Sequence, residues 1–205
     1  MATTPIKNIV FDIGNVMVRW SPAEIARLTF GEGADGQAKA EKIFRSDIWL
    51  ALNRGELTEA EAKEQIMALS GISAALVDAL FYYIKETQIL LFGSLKLLND
   101  AKAKGYKVFA LTDNVHEIVA QLKARYDFWP LFDGAIVSAE EGCLKPDAGI
   151  FQRLVAKYDV EPEESVFLDD VQRNIDGARA VGFHGILFVS AEQARQDLAA
   201  LGVAL

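Results

Sequence analysis

A chain of 205 residues, about half of them hydrophobic, can bury one substantial core with a small appended lobe but not two large independent domains. The net charge of −8 and the lack of clustered Lys and Arg exclude a partner held through a phosphate backbone, so no nucleic acid is expected. No apolar run approaches the ~20 residues a membrane span needs, and the start MATTPIKNIVFDIG has neither the basic nor the apolar region of a secretory leader. A cytoplasmic protein without membrane contact is therefore expected. The single cysteine, Cys143, cannot form an internal disulfide, and there is no Cys or His cluster for zinc, which leaves any metal to oxygen ligands.

In chain order, residues 7–11 read as a short, continuously apolar strand that stops at Asp12. Residues 21–84 then carry several helical patterns and no strand. Thr58 with Glu61 forms a capping-box pattern, and Ser73 is placed to cap the run AALVDALFYYI. The apolar stretch from Ile89 to Phe92 suits either a buried hinge or an interface. Further apolar strands are expected at 107–111, 135–137, 166–168 and 186–189, with amphipathic helices at 95–104, 117–126, 150–158 and 175–181. This alternation predicts an α/β, Rossmann-like parallel sheet wrapped by helices, with an all-helical insert.

In an open parallel sheet, functional groups collect beyond the carboxyl ends of the strands. Here those positions are acidic and polar: Asp12 follows the first strand, Thr112, Asp113 and Asn114 the second, Asp169 and Asp170 the fourth. Carboxylates converging on one rim repel unless a cation or raised pKa values relieve them, and a hard ion such as magnesium favours oxygen ligands. Gly14 and Asn15 follow Asp12 in a turn where a glycine can adopt unusual backbone angles. Lys145 precedes Pro146, which suits the first turn of the next helix and would aim the ammonium at the same rim.

The segments FDIGNV, LTDN, SAEEGCLKPDAGIF and VFLDDVQRNIDGARAVG, in this order, resemble the four motifs of the haloacid dehalogenase superfamily. The resemblance is closest to the branch with a helical C1 cap inserted after the first motif (subfamily I), which includes sugar-phosphate phosphatases and the amino-terminal domain of some epoxide hydrolases. It implies a core of residues 1–18 and 88–205 with a cap of residues 19–87. It further implies Asp12 as a nucleophile forming an aspartyl-phosphate, with Thr112 and Lys145 as its catalytic partners. Thr112, Asp113, Asn114 and Lys145 would bind substrate, and Asp12, the Gly14 carbonyl, Asp170 and Asp169 would bind magnesium.

The implied activity is a magnesium-dependent phosphatase acting on a small phosphorylated metabolite, such as a sugar phosphate, as a monomer or homodimer. One departure stands out: Gly14 occupies the place where most phosphatases of the superfamily carry a second Asp as general acid and base. Two alternatives stay open, a metal-free haloacid dehalogenase and a phosphate-binding or regulatory protein without turnover.

Other residues admit two readings each. His116 is either a substitute proton donor or a histidine of a first helical turn. Asn174 either orients the acids of the fourth motif or caps a helix. Arg19, Trp20, Trp49 and Arg54 either contact substrate or pack on the surface. The run GEGADG matches G-x-G-x-x-G, but it follows a helical pattern and not a strand, so no dinucleotide is expected there. Cys143 and His184 have no partner pattern.

Overall fold

The computed structural model describes residues 4–205; residues 1–3 of the expected core segment lie outside the described residues. Five strands, β1 (Asn8–Phe11), β2 (Lys107–Thr112), β3 (Gly134–Val137), β4 (Ser165–Asp169) and β5 (His184–Leu187), form one sheet in the order β3-β2-β1-β4-β5. Every pairing is parallel, so all five carboxyl ends lie on one edge. Both sides of the sheet are covered, as a parallel sheet requires. Side chains alternate along each strand. Ile9, Phe11, Val108, Ala110, Val166 and Leu168 face one apolar cluster, while Val10, Phe109, Leu111 and Phe167 face the other.

The chain between β1 and β2 forms α1 (Pro22–Phe30), α2 (Ala34–Phe44), α3 (Asp47–Asn53), α4 (Glu59–Ser70), α5 (Ala74–Glu86) and α6 (Phe92–Ala103). After β2 come α7 (His116–Arg125), α8 (Ser138–Glu141), α9 (Ala148–Tyr158), α10 (Gln172–Ala180) and α11 (Ala191–Ala200). Residues of α6, α7 and α11 pack on one face of the sheet, and residues of α9 and α10 on the other. The expected caps form: Thr58 and Glu61 make a complete capping box, and Ser73 Oγ accepts the amide of Leu76.

Helices α1 to α5 do not build a separate core. Ile25, Ile43, Leu52, Ile66 and Leu80 are buried in the same cluster as Ile9 and Phe11 of β1. The chain enters and leaves these helices side by side: the Arg19 amide donates to Ile89 O at 2.8 Å and the Leu91 amide to Met17 O at 2.9 Å. Leu90 bridges to Val18 there, whereas Ile89 (48%) and Phe92 (76%) are exposed.

Several boundaries differ from the sequence reading by up to three residues, and two of them have a local cause. Strand β5 starts at His184, two residues earlier than its apolar run, and stops before the exposed Val189. The cause is Gly185: a Cβ there would lie 2.6 Å from Ile175 Cγ2 in α10, so close helix packing removed the apolar signature. Helix α6 starts at Phe92, three residues before its expected start, because the exposed Phe92 and Gly93 and the N-cap Leu91, which makes no side-chain cap, leave no signal for its beginning. The GEGADG run spans the turn between α1 and α2 and the first residues of α2, with Gly31 closing α1 at φ 84° and Gly33 preceding α2 at φ 141°.

Gly177 of α10 is the tightest junction behind the rim, since a Cβ would fall 2.5 Å from Pro146 O and 2.8 Å from Pro146 Cβ. Replacing Gly177 with Ala, normally favourable in a helix, should here destabilise the fold by about 2 kcal/mol in urea unfolding through overpacking. An unchanged midpoint would show that the junction yields freely.

Candidate functional site

Register builds the site. Phe11 of β1 pairs with Ala110 of β2 and Leu168 of β4, so the next residue, Asp12, emerges beside Asp169. The Asp12 amide donates to Leu168 O at 2.9 Å, which continues the ladder to the strand end. Asp12 Oδ1 accepts the Ile13 amide at 2.7 Å and lies 2.9 Å from Lys145 Nζ. The same ammonium donates to Asp169 Oδ2 at 2.7 Å and sits 5.5 Å from the centre of the Phe167 ring. All three side chains are buried, with Asp169 fully inaccessible.

Asp169 has donors on both oxygens: the Val171 amide at 2.8 Å and Asn174 Nδ2 at 3.0 Å reach Oδ1, and Asn174 Nδ2 and Lys145 reach Oδ2. Asn174 is the third residue of α10, with Val171 as N-cap, so it orients the acid and does not cap the helix. Asp170 is half-buried and faces the opening, where its Oδ2 accepts Asn15 Nδ2 at 2.9 Å. Oxygens of Asp12, Asp169 and Asp170 lie within 4.8 Å of one another, close enough for one cation.

The electrostatics follow from this crowding. Burial, opposed by Lys145 and reinforced by the charge of Asp169, pushes the Asp12 carboxyl up to about 8. Burial works against the Lys145 ammonium, but Asp12, Asp169 and Asp113 outweigh it and hold its pKa above the usual lysine range. Asp113 and Asp170 are also raised, first by burial; Lys145 opposes the shift at Asp113, and Asn15 opposes it at Asp170. One ammonium, held between Asp12 and Asp169, is thus set against several carboxylates, and Asp113 and Asp170 have no ion pair among the described residues.

A cavity of about 300 Å³ opens onto these groups, at the small end for small-molecule sites. Asp12, Gly14, Asp113, Asn114, Lys145 and Asp170 line it. Asp113 Oδ1 accepts the Lys145 amide at 3.0 Å, and the Asn114 amide donates to Ser138 Oγ at 2.8 Å. Thr112 ends β2 with 1% exposure and, like Asp169, lies behind the lining. The structure therefore brings all eight expected residues to one strand-end region, six of them at the cavity wall.

Several expectations change. The left-handed residue of the first turn is Asn15 at φ 54°, not Gly14; asparagine tolerates that region because its short amide bonds locally. Pro146 lies outside the following helix, which starts at Ala148 after Asp147, and the Lys145–Pro146 peptide is cis. His116 is exposed at the start of α7 and absent from the wall, so the proton-donor reading loses its geometry. Arg19 pairs with Glu24 and Arg54 with Glu56, both away from the lining, whereas Trp20 and Trp49 do line the cavity.

Sequence reasoning gave no role to Asn15, Phe44, Asn53, Gln88, Ser138 or Arg173. Ser138, fully buried, accepts the Asn114 amide and donates to Asn53 O at 2.6 Å, joining β3's end to α3. Its position directly after the third strand was the one available signal.

A family model described as haloacid dehalogenase-like hydrolase matches residues 6–182. The chain belongs to this hydrolase family. Among similar proteins of the family's phosphatases, the sesquiterpene phosphatase astK of Aspergillus oryzae is 27% identical over 186 residues, covering 89% of this chain and 90% of its own. The D-ribitol-5-phosphate phosphatase of Bacteroides thetaiotaomicron is 26% identical, with 94% of this chain and 97% of its own covered. The chain spans only 36% and 19% of two longer matched proteins. A HAD family enzyme from Bacteroides thetaiotaomicron shares the fold with a TM-score of 0.78 at 21% identity, over 98% of this chain and 100% of that one. Its complex with magnesium and inorganic phosphate gives a TM-score of 0.73 at 22% identity, over 88% and 93%.

Between the ordinary aspartate value of 3.8 and about 8, folded Asp12 keeps a proton that the unfolded chain has released. Without a divalent cation, stability should therefore fall as pH rises through this window. Asp12→Asn should remove the penalty and be about 2 kcal/mol more stable than the parent at pH 8 in denaturant titrations, the gap closing toward pH 4. A less stable variant at pH 8 would contradict the burial argument.

Proposed function

We propose that this hydrolase is a magnesium-dependent phosphatase of small phosphate monoesters that works through an aspartyl-phosphate on Asp12. The observation carrying this reading is the buried Lys145 ammonium, 2.9 Å from Asp12 and 2.7 Å from Asp169, beside a cavity that Asp170 also faces. The relatives that hydrolyse phosphate esters, and the related fold seen with magnesium and phosphate, support it.

The donor set fits a hard divalent ion. Asp12 and Asp170 offer carboxylate oxygens in reach of one another, and Gly14, which lines the same cavity, would add its carbonyl. Asn174 Oδ1 is buried without a partner at the cavity wall, and a hydrated ion would give it a donor. Bound magnesium would neutralise phosphate charge and favour ionised Asp12. Asp169, whose two oxygens are already occupied, holds Lys145 and completes the negative cradle from behind.

In the proposed chemistry, Asp12 Oδ2, which accepts no hydrogen bond among the described residues, attacks phosphorus in line while the leaving oxygen takes the electron pair of the broken P–O bond. Lys145 balances charge on Asp12 and on the phosphoryl oxygens. Thr112, Asp113 and Asn114 orient the phosphoryl group from the end of β2. Water then hydrolyses the acyl-phosphate. We assign α1 to α5, within residues 19–87, as a cap that closes over the ester and limits water access, with residues 1–18 and 88–205 as the core. A cytoplasmic setting is part of the same proposal and accords with the lone thiol Cys143.

Phosphate release from a panel of monoesters with magnesium tests the reading. Asp12→Asn should lose at least ~10³-fold in turnover, and EDTA should abolish activity until magnesium is restored. Borohydride trapping of the acyl-phosphate should label Asp12 alone. Equal turnover in the native protein and Asp12→Asn would remove the mechanism.

A second prediction concerns the lysine. Lys145→Met should lower kcat by ~10²-fold or more while the protein stays folded, because Asp169 retains Asn174 and Val171 as donors. Unaltered kcat would remove Lys145 from the chemistry.

A further inference from the structure

Opposite the carboxylates, the cavity wall is aromatic. Trp20 and Trp49 stack with ring centres 6.1 Å apart and planes 15° apart, and Phe44 meets them edge-on at 5.5 Å and 5.1 Å. Leu50, Ile118 and Leu144 continue this surface. The wall is fixed in register with the acids, because Asn15 donates to Asp170 through Nδ2 and accepts the Trp20 amide through Oδ1 at 2.8 Å. A Cβ on Gly14 would sit 3.8 Å from Trp20 Cβ, so the stem of Trp20 starts close to the turn that follows Asp12.

The polar side chains on this side are already partly engaged. Asn53 Nδ2 donates to Trp49 O at 2.8 Å, Gln88 Nε2 to Ile84 O at 3.1 Å, and Asn114 Oδ1 accepts the Val115 amide at 3.0 Å. Lys145 is occupied by two carboxylates, which leaves Arg173, exposed on α10, as the other cationic group at the lining among the described residues. A polyol entering here would bury hydroxyls with few partners, and each unpaired hydroxyl is unfavourable. An aliphatic or aromatic body would gain contact with three rings instead.

We propose that the alcohol released from the phosphate ester is apolar, its body seated against Trp20, Phe44 and Trp49. This rests on the phosphatase reading above and narrows its substrate class, away from the sugar phosphate suggested by sequence resemblance. The leaving oxygen takes the bonding electrons as the Asp12–phosphorus bond forms, and its proton comes from water, since residue 14 has no side chain to give one.

The test is kcat/KM across n-alkyl monophosphates from methyl to hexyl, with glycerol and ribitol phosphates alongside, all with magnesium. The proposal expects about a two- to fourfold gain per methylene over the first few carbons and polyol esters below butyl phosphate. Leu50→Asn, on the partly exposed helix surface, and Trp49→Ala should both flatten that slope. As a binding readout, hexylphosphonate should change tryptophan emission at concentrations at least tenfold below methylphosphonate. Two of the three tryptophans line the cavity, and Trp129 does not. Turnover of methyl phosphate with a flat series, or preference for polyol esters, overturns this inference and leaves the phosphatase reading standing. No Asp12-dependent turnover of any ester overturns both.

Discussion

A single buried ammonium holds the site together. Lys145 arrives from the turn before α9, Asp12 from the end of β1 and Asp169 from the end of β4, and the lysine contacts both acids within 2.9 Å. Removing one partner from a buried ionic cluster costs several times what an exposed pair is worth, because the remaining charge has no solvent. Much of the surrounding structure serves that cluster. Asn174 and the Val171 amide donate to Asp169 and fix its orientation, and Gly177 lets Pro146 approach α10 closely enough to hold the lysine turn. Burial, with Asp169 adding to it against Lys145, raises the Asp12 pKa, and the carboxylates outnumber the one ammonium, which makes this edge receptive to a cation.

Legibility in the sequence tracked the physics of each feature. Strand ends in a parallel sheet share one edge, so Asp12, Thr112 and Asp169 could be placed together once the apolar runs were recognised. The Thr58 capping box and the Ser73 cap were legible because each uses residues three apart. What stayed hidden depended on distant packing. Phe44 and Leu50 come from α2 and α3 and have no spacing that separates a cavity wall from an ordinary core face. Asn15 was visible, but its two hydrogen bonds span Asp170 and Trp20, and no local pattern reports the first. His116 had two readings, and the first-turn one holds, because proximity to a motif along the chain does not fix the side of a helix that a residue occupies.

Helices α1 to α5 share one apolar cluster with the sheet, and Ser138 adds a polar tie. Its hydroxyl has one proton, donated to Asn53 O, and it accepts the Asn114 amide. Any outward movement of α3 breaks the first bond inside a fully buried environment, where an unsatisfied carbonyl is unfavourable. Closed geometry at the aromatic wall and correct placement of Asn114 are therefore linked through one side chain.

The two hydrogen bonds of Asn15 bear on how such an enzyme can diverge. Phe44, Trp49 and Leu50 reach the cavity only as side chains and can change while the α3 backbone keeps its bond to Ser138, but Trp20 is anchored by the residue that also steadies Asp170. Phe44, Trp49 and Leu50 are therefore free to vary when a new ester is adopted, while position 20 can drift only as far as its backbone stays in place. Selectivity can be retuned from the far side of the cavity inward, and the last residue to change is the one nearest the nucleophile.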